Sequence, residues 1–250
     1  GVQIIDISDP ANIVAKDSET DGKNGFDELG NAYGVDTFTI DSTTYAIVVS
    51  KDVTGGVQII DISDVDNIVA TDSETDGENG FDELNGAWGV DTFVIGSSTY
   101  AIVTGIDDDG VQIIDISDPA NIVAKDSATD GDAGGFDVLD DPTDVETFVI
   151  GSSTYAIVTA FVDDGVQIID ISDVDNIVAT DSETNGENGF DELRMARGVD
   201  VFTIDSSTYA IVAGYGDNGV QIIDISDVDN LIAVDAETDG VNGFTVLNAV

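Results

Sequence analysis

An acidic segment that recurs along the chain carries the residue types best suited to chemistry. In its first copy Asp17, Glu19 and Asp21 alternate with other residues, a glycine follows, and Glu28 occupies the twelfth position. Alternating carboxylates place hard oxygen ligands on one side of an extended segment, and a terminal glutamate can bind a cation with both oxygens. The spacing matches a calcium loop except for glutamate at the third position. The segment therefore predicts calcium as a cofactor.

The other copies of the segment vary this ligand set. The third copy has Ala128 and one inserted residue, and the fifth has Val246 at the twelfth position. No helical pattern flanks any copy, so we expect a calcium loop in a β context rather than an EF-hand. A solvated acidic strand followed by an Asn-Gly turn is the alternative interpretation. The predicted metal ligands are Asp17, Glu19, Asp21, Glu28, Asp72, Glu74, Asp76, Glu83, Asp126, Asp130, Asp137, Asp181, Glu183, Asn185, Glu192, Asp235, Glu237 and Asp239.

The composition narrows the possible chemistry. The 250 residues include 52 acidic and 6 basic residues, for a formal net charge of −46, and contain neither cysteine nor histidine. Disulfides, thiolate metal sites and imidazole catalysis are therefore excluded. The charge repels nucleic acid and anionic lipid, and no apolar run approaches the roughly 18 residues of a membrane span. Paired carboxylates could serve glycoside hydrolysis, but every repeat offers the same acids, so we expect no enzymatic activity.

A repeated unit organises the whole chain. The sequence GVQIIDISD begins at Gly1 and returns unchanged at Gly56, Gly110, Gly165 and Gly219. Each unit of 54 or 55 residues holds up to four short runs rich in Val, Ile, Thr, Tyr and Phe, separated by turn residues. Such runs favour strands, and both faces of VQIIDI are apolar. We predict one all-β repeat domain over 1–250, a β-propeller with four-stranded antiparallel blades in five partial or complete repeats; a β-solenoid is the alternative.

The repeat resembles a known family. GVQIIDISDPAN, followed by AYGV (residues 32–35) or AWGV (residues 87–90) and then a YAIV run, is similar to the LVIVD-repeat family of cell-surface β-propeller proteins. The resemblance covers nearly the whole chain and implies an extracellular or cell-surface location in bacteria or archaea, without an established enzymatic activity. The acidic segment is an insertion relative to the usual, shorter repeat.

Incomplete repetition indicates self-association. The first two runs of the unit occur five times, and the last two occur four times. We expect either a ring completed by another chain or a segment of a longer tandem array. The predicted function is an extracellular structural or adhesive scaffold whose partners are copies of itself. A ligand-binding module for a surface carbohydrate or peptide is the alternative.

The repeats differ from one another mainly in two sets of loops. Blade geometry places the turns that begin at Ser50, Thr104, Thr159 and Ala213 on the same face as the segments that begin at Gly30, Asn85, Asp140 and Arg194. This variable face is a candidate contact surface, although exposed loops also vary without consequence. Tyr33 and Trp88 hold equivalent positions there, where packing is the simpler explanation and sugar stacking the alternative.

Overall fold

The computed structural model describes residues 1–52 and 54–247. Val53, in the variable loop that begins at Ser50, and the last three residues of the predicted domain 1–250 lie outside the described part. Within that part the chain is all-β, with eighteen strands in five antiparallel sheets. None of the described residues forms a helix with the length and apolar character of a membrane span.

The sheets follow one another along the chain. The first sheet, here called the half-blade, contains β1 (Val2–Asp6) and β2 (Val14–Glu19). Blade 1 contains β3 (Ala32–Ile40), β4 (Thr43–Ser50), β5 (Gly56–Asp61) and β6 (Val69–Thr75). Blade 2 contains β7 (Ala87–Ile95), β8 (Ser98–Gly105), β9 (Gly110–Asp115) and β10 (Val123–Thr129). Blade 3 contains β11 (Pro142–Ile150), β12 (Ser153–Ala160), β13 (Gly165–Asp170) and β14 (Val178–Thr184). Blade 4 contains β15 (Ala196–Ile204), β16 (Ser207–Gly214), β17 (Gly219–Asp224) and β18 (Ile232–Thr238).

The repeated GVQIID run forms the third strand of each complete blade. In blade 1, Val57 and Ile59 lie on one face of β5 and Ile60 lies on the other, and each is at most 1% exposed. A strand that buries both faces must be apolar on both, which is why alternation of apolar and polar residues is absent here. Four-stranded antiparallel blades confirm the predicted β-propeller architecture.

Neighbouring blades pack face to face. Ile157, Val166 and Ile168 on one face of blade 3 join a single core with Ala210 and Val212 of blade 4, and all five are fully buried. The innermost strands β3, β7, β11 and β15 contact one another in that order. They line a central channel, as propeller blades do.

The variable loops share one end of this channel. In blade 2 the backbone N–H of Asn85 donates to Asp108 Oδ2 at 2.8 Å, and the next junction joins the N–H of Asp140 to Asp163 Oδ2 at 2.9 Å. Each bond connects the segment that enters a blade with the turn between its second and third strands. The structure therefore places both sets of variable loops on one face.

Candidate functional site

The first acidic position of the segment connects adjacent blades. Asp72 Oδ2 accepts a hydrogen bond from the N–H of Ile122 in the next blade at 2.8 Å, and Asp126 Oδ2 does the same with Ile177. Asp235, in the last blade, accepts from the N–H of its chain neighbour Ala236 and from no other group in the described part of the chain. These carboxylates thus act as inter-blade acceptors. The remaining two bonds of this kind join Asp17 to Ile68 and Asp181 to Leu231.

The third and fifth positions stabilise the segment itself. Glu74 Oε2 accepts from Asn79 Nδ2 at 2.9 Å, and Asp76 Oδ1 accepts from the N–H of Leu84 at 3.0 Å. Asn185 Oδ1 makes the same bond as Asp76 without a charge. Glu183 and Glu237 bind Asn188 and Asn242, and Asp21, Asp130 and Asp239 bind the N–H groups of Leu29, Leu139 and Leu247. Glu19 is half-buried at the end of β2, and Asp137 is exposed.

The twelfth position of the segment is buried beneath the following blade. Glu83 Oε1 accepts from Thr129 Oγ1 at 2.7 Å, whereas Glu83 Oε2 is buried and has no hydrogen-bond partner among the described residues. Burial raises the pKa of Glu83 to about 7 and also raises the pKa of the equivalent Glu192. A methyl group on Gly110 would collide with Glu83 Oε2, so the repeated glycine leaves the space that this side chain needs.

The third repeat solves the same packing problem without a charge. Because of the inserted residue, Val138 takes the place of Glu83, and it is 4% exposed. The residue inserted before Phe136 coincides with a second difference. Gln167 Oε1 is buried and has no hydrogen-bond partner in the described part of the chain. The equivalent Gln112 Oε1 accepts from the N–H of Asp82 at 3.1 Å. The lengthened loop therefore removes one hydrogen bond from blade 3.

No described copy of the segment gathers three carboxylates at metal-binding distance. The group that meets this criterion among the described residues is Asp109, Asp140 and Asp141, whose ligand oxygens lie within 4.8 Å of one another on the variable face. This group combines two loops about 30 residues apart in the sequence. The runs of aspartate in these loops were the only sign of the group in the sequence. Calcium binding by the segments stays a prediction.

The central channel contains a second set of carboxylates, which bond across blades. Asp36 Oδ2 accepts from the N–H of Thr92 at 2.9 Å and from its hydroxyl at 2.6 Å, and Asp91 repeats this arrangement with Thr147. The next junction is different. Asp144, which stands where the other blades have glycine, uses Oδ2 to accept from the N–H of Val199 at 3.0 Å. The junction between blades 3 and 4 therefore uses an acceptor two residues earlier in the strand.

This shift leaves Glu146 as a distinct group in the channel. Glu146 stands where the other inner strands have aspartate, and Val201 replaces the threonine that would have donated to it. Burial raises the pKa of Glu146 to about 7, and the negative charges of Asp91 and Asp200 contribute to this shift. The carboxyl group of Glu146 therefore keeps its proton to a higher pH than an ordinary glutamate. Both substitutions are visible in the sequence, but the displaced hydrogen bond of Asp144, which explains their effect, is not.

Aromatic and basic side chains surround the channel at its variable end. The rings of Tyr33 and Trp88 lie 4.0 Å apart between centroids, and Lys51 Nζ lies 3.7 Å from the Trp88 ring centroid. The Arg197 guanidinium lies 4.5 Å from the Tyr215 ring centroid. Each cation is thus placed over an aromatic face, which attracts it electrostatically.

Comparisons with known proteins identify the fold. No family model matches the chain, and no curated protein does, so membership of the LVIVD-repeat family stays a prediction. Similar solved structures include a protein of Lactobacillus plantarum, at 15% identity and a TM-score of 0.60, for which the match covers 86% of this chain and 58% of that one. A functionally unknown protein of Desulfotomaculum acetoxidans matches at 13% identity and a TM-score of 0.58, over 82% and 55% of the two chains. The chain thus spans little more than half the length of these structures.

A third similar structure corrects the expectation that the chain has no enzymatic activity. A glycoside hydrolase family 32 β-fructofuranosidase of Bombyx mori matches at 11% identity and a TM-score of 0.52, over 84% of this chain and 50% of that one. The prediction that enzymatic activity is excluded is wrong, because an enzyme has a similar architecture. It rested on the equivalence of all repeated acids, and the position of Glu146 breaks that equivalence. The likeness concerns the fold alone and carries no assignment of a reaction.

Proposed function

We propose that the protein is a structural scaffold that joins further repeat units of its own kind through the half-blade. The observation that supports this proposal is an apolar cleft of about 250 Å³ beside β1. Val2 and Ile4 line it from the half-blade, and Ala46, Val48 and Ile60 line it from blade 1. Val2 and Ile4 are half-buried, whereas their equivalents Val57 and Ile59 in blade 1 are fully buried, so the cleft is the kind of surface that the inner strands of a blade cover.

The backbone of β1 supports the same proposal. In blade 1 the third strand pairs with the second through Ala46 opposite Ile60 and Val48 opposite Gln58. The equivalent residues in β1 are Ile5 and Gln3, and among the described residues the only strand that pairs with β1 is β2. An unpaired strand edge next to an apolar cleft is a template for strand addition. The complementary element is a hairpin of the β3–β4 type.

The last blade presents a second open face. Ile211, Val220 and Ile222 are half-buried there. The equivalent Ile157 and Val166 of blade 3 are fully buried against the next blade. Repeat proteins are stabilised largely by such interfaces between neighbours. Because the internal junctions already join these two kinds of face, a further unit of the same sequence suits both ends.

The surface charge suits an extracellular or cell-surface setting, which is part of this proposal. A net charge of −46 makes neighbouring scaffolds repel one another at low ionic strength. Salt screens this repulsion, and divalent cations bridge carboxylates. We therefore include calcium as the cation that relieves repulsion between assembled units.

A chain extended by one hairpin tests the proposal. Residues 33–50 are appended after Val250, which supplies the inner hairpin in the register of the repeat. The matched control appends a Gly/Ser segment of the same length. We expect the added hairpin to resist proteolysis and to raise Tm, either in a monomer that has closed on itself or in head-to-tail oligomers resolved by light scattering. A protease-sensitive hairpin with Tm and mass equal to those of the control contradicts the proposal.

A further inference from the structure

A pocket of about 270 Å³ lies at the variable end of the central channel. Tyr33, Trp88, Thr143 and Arg197 contribute to its wall, one from each complete blade, and they occupy the same position of the repeat. The strands that carry them in blades 1 and 2 are otherwise closely similar, and the strand of blade 3 also carries Asp144 and Glu146. One repeat position thus supplies two aromatic rings, a hydroxyl and a guanidinium to a single pocket, which a purely structural position does not require.

The cations at this pocket are available to a ligand. Among the described residues, Lys16 and Lys125 form ion pairs at 3.4 and 3.2 Å, whereas neither Lys51 nor Arg197 forms one. Arg197 is exposed, although the protein has 52 acidic residues. Arg197 lies in the pocket wall itself, and Lys51 lies over the ring of Trp88, which is part of that wall, so N–H groups of both cations can donate near the pocket.

The interior of the channel has the opposite character. Asp144 forms part of the pocket wall, where its Oδ2 accepts from the N–H of Val199 at 3.0 Å and its carboxylate also bonds to the N–H of Val145. Glu146 and Asp91 lie deeper and interact electrostatically with Asp144. A ligand that fits both surroundings carries its negative charge at the outer end and presents hydrogen-bond donors to the interior.

We propose that this pocket binds an acidic sugar, a uronate residue of a polysaccharide. The uronate carboxylate accepts from the Arg197 guanidinium, whose planar N–H groups match a carboxylate. The sugar ring packs on Tyr33, which is 52% exposed, and its hydroxyl groups donate to the remaining lone pairs of the Asp144 carboxylate. The pocket volume lies just below the range of about 300–1,000 Å³ that is typical of small-molecule sites, so one ring enters at a time. This site is independent of the half-blade, and its test is separate from that of the proposed scaffold.

Calorimetric titration with trigalacturonate tests the site. Its fully methyl-esterified form has the same ring skeleton without the charge, and tri-glutamate has the charge without the sugar. We expect trigalacturonate to bind at least tenfold more tightly than either, and its affinity to fall at least tenfold in Arg197→Gln and in Tyr33→Ala. The matched control Lys125→Gln, whose cation is paired with Asp175 away from the pocket, retains wild-type affinity.

Each remaining outcome overturns the proposal. Absence of binding at millimolar trigalacturonate does so, as does equal binding of the ester. Stronger binding of tri-glutamate assigns the pocket to acidic peptides instead. Circular dichroism and Tm show that each variant is folded before titration, and a Tyr33→Phe variant, which keeps the ring, retains affinity if stacking is the contact.

Discussion

Replacing Glu83 by valine makes the protein more stable at pH 8 and not at pH 4.5. The folded pKa of about 7 lies above the ordinary value of 4.5, so the folded state keeps a proton that the unfolded state has lost between these values. Stability therefore falls as the pH rises through this window. Above pH 7 the ionised, buried carboxylate destabilises the fold by about 3 kcal/mol, since one pH unit corresponds to 1.36 kcal/mol.

Two contributions determine the net effect of Glu83→Val. The variant loses the hydrogen bond from Thr129, which contributes about 1 kcal/mol. It removes the full penalty of ionisation at pH 8 and almost none of it at pH 4.5. The expected gain at pH 8 is therefore about 2 kcal/mol, or roughly 4–8 °C in Tm for a chain of this size. Val138 provides the precedent, because it fills the equivalent place in the third repeat.

Thermal unfolding followed by circular dichroism at pH 4.5, 6 and 8, at constant ionic strength, measures this effect. The quantity of interest is the Tm difference between variant and wild type, in which the titration of the other acids cancels. Glu78→Gln removes an exposed carboxylate of the same segment and is the matched control, with a difference that stays constant across pH. A Tm difference for Glu83→Val that does not change with pH refutes the reasoning.

Two further variants test the hydrogen bonds of the acidic segments. Asp126→Ala removes the bond to the N–H of Ile177 and lowers the free energy of unfolding by about 2 kcal/mol in urea titrations. Asp235→Ala removes a bond to the N–H of its chain neighbour and lowers the free energy of unfolding by about 0.5 kcal/mol or less. Equal losses in the two variants contradict the inter-blade role. Asp76→Asn keeps the acceptor for the N–H of Leu84 and retains wild-type Tm in the presence of a chelator, while Asp76→Ala lowers Tm by several degrees. If Tm falls as far in the asparagine variant as in the alanine variant, the charge of Asp76 is needed.

The sequence predicted the fold because its evidence is local and repeated. The GVQIID run is apolar on both faces, turn residues separate it from its neighbours, and the same pattern returns every 54 or 55 residues. The four-stranded blades and the absence of one pair of strands both follow from that pattern.

The roles of individual carboxylates could not be predicted in the same way. Asp72 bonds to a backbone N–H 50 residues later, and residue spacing within the segment carries no information about that donor. Glu83 has the sequence spacing of a calcium ligand, yet its burial depends on how the following blade packs over it. Glu146 differs from the aspartates of the other inner strands because Asp144, two residues earlier, makes the inter-blade hydrogen bond in its place, and sequence spacing does not show that exchange.

The inter-blade acceptors have a consequence for how such a chain changes in evolution. Each of these carboxylates bonds to a backbone N–H of the next blade, so the donor survives every change of side chain except a change to proline. A duplication or deletion of one unit of DNA, 54 or 55 codons long, therefore creates a junction whose contacts already exist elsewhere in the protein. Unequal recombination can alter the number of blades in one step, without first passing through a mismatched interface.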